Sequence, residues 1–186
     1  MPHIHTDVNQ HDLTVTAFIV RVDLSEPKVL FHTHRKLQIL LPVGGHVELS
    51  ETPWEAMAHE LTEESGYHLG QLKVLQPSSR IRRLTKVVQH PYPLSMNTHD
   101  MAGGHFHTDI EYGFVATGNP ERNVETGESL DLQWFTRSEL DELPTTEIFA
   151  NVREVYRFLL DEALPHWESV NASDFLTDFP GEYFGE

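Results

Sequence analysis

The chain has 186 residues, no cysteine, and 13 lysines and arginines against 29 aspartates and glutamates, for a formal charge of −16 at pH 7 with histidines neutral. That length suits one domain with a sizeable core, and 39% hydrophobic with 10% aromatic residues is the make-up of a globular protein. The charge argues against binding a nucleic acid polymer, no apolar run approaches the roughly 20 residues that span a bilayer, and without thiols any metal must use oxygen or imidazole ligands.

Residues 1–12 are polar, contain His3, His5 and His11, and read as a loosely ordered lead-in without a secretory signal, so a cytoplasmic location is the default expectation. Leu13 to Val22 is rich in β-branched and aromatic residues and reads as a strand, with Lys28 to His34 as its hairpin partner. His32 and His34 share a face of that second strand, and with no third ligand nearby they read as ordinary strand positions. Leu37 to Val43 leads into Gly44 and Gly45.

A helix follows, set by its punctuation. Thr52, Pro53 and Glu55 form a capping box, and Gly66 supplies a left-handed stop. Trp54, Met57, Ala58 and Leu61 recur on one face, which should turn inward. Glu60, Glu63 and Glu64 fall together on a neighbouring face, where like charges three and four residues apart repel. A divalent cation would remove that repulsion; a solvated acidic face is the bland alternative.

Gln71 to Leu75 reads as a strand. The next thirty residues have no clear assignment, and they carry the basic patch Arg80, Arg82, Arg83 and Lys86, either a phosphate contact or a solvated edge. Phe106 to Ala116 is strand-like, and alternation puts His105, His107, Asp109 and Glu111 on one side, facing a cleft. Gly118 to Glu128 is an acidic loop, Leu130 to Phe135 a strand, and Thr136 opens a short helix around Ser138 to Leu143. Thr146 is expected to cap a longer helix in which Ile148, Phe149, Val152, Val155, Tyr156, Leu159 and Leu160 follow helical spacing. The boundaries are thus a lead-in over 1–12, one domain over 13–164 and an acidic, aromatic tail over 165–186 that either packs on the domain or binds a second copy.

The central stretch resembles the signature of the Nudix hydrolases, G-x5-E-x7-R-E-U-x-E-E-x-G-U with U bulky and apolar. Gly45, Glu51, Glu60, Leu61, Glu63, Glu64 and Gly66 stand in register with it. Six fixed matches arise by chance in roughly one chain in ten thousand or fewer. The resemblance extends from about residue 13 to 160 through the Leu-Pro-x-Gly-Gly-His-x-Glu approach, the His-x-His-x-Asp strand and Gln133-Trp134-Phe135.

It implies an α/β (α+β) fold, an α/β/α sandwich with a mixed sheet and a catalytic loop-helix-loop. The implied activity is hydrolysis of a nucleoside diphosphate linked to another moiety, by water attack on phosphorus with Mg2+ or Mn2+. The Gly45 carbonyl, Glu60 and Glu64, with Glu63 assisting, match the metal-binding positions, and Glu51 would orient them from beside the helix. The general base varies in the family, so Glu60, Glu111, Glu125 and Glu128 stay open; Arg80, Arg82, His105 and His107 are candidates for substrate contact. The partner is a small phosphorylated molecule, and a homodimer is the prior for assembly.

Two positions depart from the family pattern. His59 stands where the family has arginine, and one imidazole nitrogen replaces a guanidinium fork only in part; Tyr67 stands at an apolar position. A weakly active nucleotide sensor of the same fold is therefore a rival reading. A second rival is a cupin, because His105, His107, Glu111 and Gly118 match the spacing of a first cupin metal motif, although the second motif's histidine is missing.

Overall fold

The computed structural model describes residues 7, 9–101, 104–125, 129–175 and 177. Its centre is a pair of long strands, β1 (His11–Arg21) and β7 (His105–Ala116), parallel and in register from His11↔Phe106 to Arg21↔Ala116. Between them in the chain come β2 (Lys28–Thr33), β3 (Leu40–Leu41), β4 (Val43–His46), helix α1 (Pro53–Glu60), β5 (Leu72–Gln76) and β6 (Ser95–Met101). After β7 follow β8 (Leu132–Thr136), α2 (Arg137–Glu142), α3 (Ala150–Phe158), α4 (Leu164–His166) and β9 (Glu168–Asn171). The nine strands among the described residues belong to one mixed sheet, whose path runs β3-β2-β1-β7-β5-β9 with β4 on β1, β6 on β7 and β8 on β2.

Alternation along β1 divides the core in two. Val15, Ala17 and Ile19 join Trp54, Met57 and Leu61 of the α1 helix on one face, while Phe18 and Val20 join Val152, Tyr156 and Leu159 on the other. The sheet thus lies between two helices, the expected α/β/α sandwich. This overturns the cupin alternative, since its strands belong to a sheet covered by helices rather than to a barrel.

The hairpin forms as expected, with Val20 opposite Val29. One expectation changes, and two stretches left open by the sequence take on structure. The longer helix is not capped at Thr146: Ile148 bridges to Leu40, Phe149 is the N-cap, and the helix opens at Ala150. The unassigned stretch contains β6, a mostly polar strand held by seven register pairs to β7. The described part of the tail packs on the domain, with β9 pairing β5 and Phe175 packing beside Trp54. His3 and His5 of the lead-in, and residues 178–186, lie outside the described residues.

Candidate functional site

Helix α1 is built as its punctuation requires. The Thr52 hydroxyl accepts from the Glu55 N–H, and the Glu55 carboxylate accepts from the Thr52 N–H at 2.6 Å. The helix runs on through a wider, π-type turn over Leu61–Ser65 and stops at Gly66, whose φ of 73° is left-handed. Trp54, Met57 and Leu61 are wholly buried, with Trp54 stacked 5.9 Å from Phe114, so the helix cannot roll on the sheet. Tyr67 buries its ring and donates its hydroxyl to the Gly118 carbonyl at 2.6 Å, which explains why it is tolerated.

Anchoring the apolar face aims Glu60 and Glu64 at β4. Glu64 is buried, and its Oε2 accepts from the Gly44 N–H at 2.9 Å. Glu60 is 4% exposed and faces Gly45 so closely that a Cβ there would meet its Oε1 at 2.0 Å. The glycine pair therefore supplies backbone at the carboxylates where a side chain has no room. Glu63 is half-buried, and its carbonyl accepts from the Glu125 N–H at 2.8 Å, bringing the acidic loop onto the end of the helix. The donors are hard oxygens on a rigid backbone, a set that fits a magnesium-class divalent cation.

Glu51 lies beside the helix. Its Oε1 meets His59 Nδ1 at 2.6 Å and its Oε2 accepts from the Glu48 N–H at 3.3 Å. His59 thus takes one of the contacts an arginine fork would make, from a side chain that is 63% exposed.

His32, an ordinary strand position by its sequence, lies against the candidate carboxylates. It is 4% exposed, with Nε2 3.9 Å from Glu64 Oε2. Burial, with a contribution from His34, pulls its pKa down to about 4, so near neutral pH a neutral imidazole and not an ion pair abuts Glu64. Nothing local to β2 could disclose this, because the carboxylate arrives from a helix thirty residues downstream.

On the sheet face opposite α1, β7 presents His105, His107, Asp109 and Glu111, all buried. Glu111 accepts from Asn97 at 2.9 Å, and burial, reinforced by Asp109, raises its pKa to about 7. Asp109 accepts from the Thr16 hydroxyl at 2.7 Å, and burial raises its pKa also. Register places Glu111 beside Thr16 and Thr16 beside Gly44, one row across β7, β1 and β4. Farther along the same face, one donor atom each from Asp12, His105 and His107 lies within 4.8 Å of the others. Among the described residues that is the tightest such group; Glu60, Glu63 and Glu64 do not converge to that degree.

Arg80 and Arg82 both grip Glu168 of β9 at 2.8 Å, and Arg80 also donates to the Pro77 carbonyl. They line a cavity of about 400 Å³ with Gln76, His90 and Tyr92. Glu125 sits at the end of the helical turn that continues α1; Glu128 lies outside the described residues.

A family model described as the NUDIX domain matches residues 12–158. The chain belongs to the Nudix family. Among solved structures, a hydrolase of the NUDIX family from Clostridium perfringens is 31% identical, with a TM-score of 0.66 over 83% of this chain and 98% of that one. A NUDIX hydrolase from Nitrosomonas europaea is 18% identical, with a TM-score of 0.60 over 93% of this chain and 100% of that one. The NUDIX domain of Shewanella oneidensis NrtR, solved with ADP ribose, is 14% identical, with a TM-score of 0.57 over 81% of this chain and 88% of that one. The last two likenesses speak to fold alone. A comparison with curated protein sequences gives no match. This Nudix chain is a hydrolase, and no helix among its described residues is long and apolar enough to cross a membrane.

Proposed function

We propose that the protein is a divalent-metal-dependent pyrophosphohydrolase that cleaves the diphosphate linkage of a nucleotide derivative. The observation that carries this reading is the approach of Gly45 to Glu60, with Glu64 fixed by the Gly44 N–H: two buried carboxylates held against bare backbone. Gly45, Glu60, Glu63 and Glu64 would hold Mg2+ or Mn2+, which supplies charge neutralisation on the diphosphate and a more acidic attacking water. The chain's part is positioning. Thr52 and Gly66 set the length of the helix, Trp54 fixes its rotation, and Glu51 with His59 braces the loop that enters it. The neutral His32 imidazole beside Glu64 adds no competing positive charge.

A motif glutamate is the proposed general base. Glu111 supports a second reading, because a carboxyl held near 7 is matched to taking a proton at neutral pH. The polar β7 face is the side proposed to meet the substrate; ADP-ribose, nucleotide sugars, nucleoside triphosphates and dinucleoside polyphosphates form the panel to assay. Glu64→Gln should lower turnover of the accepted substrate by well over tenfold with the circular dichroism spectrum unchanged. Unchanged turnover would remove the proposed site, and tight ligand binding without turnover of any panel member by the native protein would favour the sensor reading.

A further inference from the structure

The histidine cluster beyond the box is made by register, not by sequence proximity. His107 pairs with Asp12 across β7 and β1, His46 pairs with Thr14 across β4 and β1, and His105 lies two residues before His107 on the same side of β7. Asp12 is 1% exposed, His105 6%, His107 8% and His46 8%. The His107 ring lies 4.9 Å from that of His46 and 5.5 Å from that of His105, and His46 Nε2 is 3.6 Å from Asp12 Oδ2. Ile110 and Tyr112 alternate with the polar residues of β7 and pack under α1, so this cluster occupies the face that α1 does not cover.

We propose that Asp12, His105 and His107 form a second metal site, for a transition-metal dication of the zinc class, separate from the carboxylates of the Nudix box. Two imidazoles and one carboxylate are the donors such ions take, whereas the all-oxygen box suits magnesium or manganese. Donor atoms around one zinc ion lie roughly 3.3 Å apart at bond lengths near 2.0 Å. Those of Asp12, His105 and His107 are already within 4.8 Å of each other, so side-chain rotation closes the site without moving a strand. Three protein ligands leave a fourth position, and His46 beside Asp12 either fills it or orients the carboxylate. The ion would tie together the ends of β1 and β7 and, through His46, the end of the strand that carries Gly44 and Gly45.

The test uses the full chain stripped with a chelator and titrated with ZnCl2 by calorimetry, with thermal midpoint and the visible spectrum of the Co2+ form as independent readouts. Wild type should bind one equivalent with a raised midpoint and a four-coordinate cobalt spectrum, and Glu60→Gln/Glu64→Gln should retain all three. His107→Gln should weaken binding at least a hundredfold, and His105→Gln serves in its place should that variant fail to fold. His3→Gln/His5→Gln should change nothing, although those residues offer competing imidazoles. The proposal is overturned by the absence of stoichiometric zinc binding to natively folded protein, by loss of binding in the Glu60/Glu64 variant with retention in the histidine variants, or by dependence on His3 and His5.

Discussion

At position 45 a single methyl group should separate a folded protein from an active one. An alanine Cβ would lie 2.0 Å from Glu60 Oε1 and 2.5 Å from its Cδ, so the carboxylate must swing aside. The obstacle is the far end of a flexible side chain, and Gly45 is not among the positive-φ residues, so the backbone tolerates alanine without strain. Gly45→Ala should therefore shift the thermal midpoint by less than about 3 °C, as for a substitution costing about 1 kcal/mol in a chain of this size. Turnover in saturating magnesium should fall by more than tenfold. Both quantities come from one preparation, and full turnover would take Glu60 out of the site. Gly66 differs: its φ is 73°, and a Cβ there would stand 2.1 Å from the Arg122 carbonyl oxygen. It is a structural stop, where alanine should harm folding first.

Elements that carry their own punctuation are readable from sequence, and those held by distant partners are not. The α1 helix is legible because its capping box, buried stripe and Gly66 all act within fifteen residues. β6 (SMNTHDM) has no apolar alternation, and only its pairing with β7 makes it a strand. Ile148 and Phe149 fit helical spacing, but the bridge to Leu40 takes that segment. The site divides in the same way: the box carboxylates are legible, whereas His32, Asp12 and His46 meet their partners only through tertiary packing and strand register. β9 is the strongest case, four residues without periodicity that pair with β5 from Lys73↔Asn171 to Gln76↔Glu168. Its continuation brings Ala172 and Phe175 to the Trp54 cluster beneath α1. Deleting residues 168–186 should cost about 2–4 kcal/mol through lost burial, a fall of roughly 5–15 °C in thermal midpoint. An unchanged midpoint together with a change in oligomeric state, read by sedimentation, would assign the segment to assembly and not to the core.

The whole molecule carries 29 acids against 13 lysines and arginines, so its stability depends on how its buried carboxyls are managed as pH changes. Glu111 is the most informative of them, because burial and the neighbouring Asp109 raise its pKa from 4.5 to about 7. Between those values the unfolded chain has released the proton and the folded chain still holds it. Folding therefore takes up a proton, and the contribution of Glu111 to stability falls as pH rises through this window. Above pH 7 the full penalty is present, roughly 3 kcal/mol for that displacement. Glutamine has no proton to release and keeps an oxygen to accept from Asn97, so Glu111→Gln should escape the penalty. The variant's midpoint, measured against wild type, should rise by several degrees between about pH 5 and about pH 8, while groups remote from Glu111 and Asp109 cancel in the difference. A difference that stays constant across that range would mean that Glu111 titrates like a solvated glutamate. The same variant then decides the base: if Glu111 takes the proton from water, kcat/KM collapses in Glu111→Gln, and if a box glutamate does so, the variant keeps its activity while its stability profile changes.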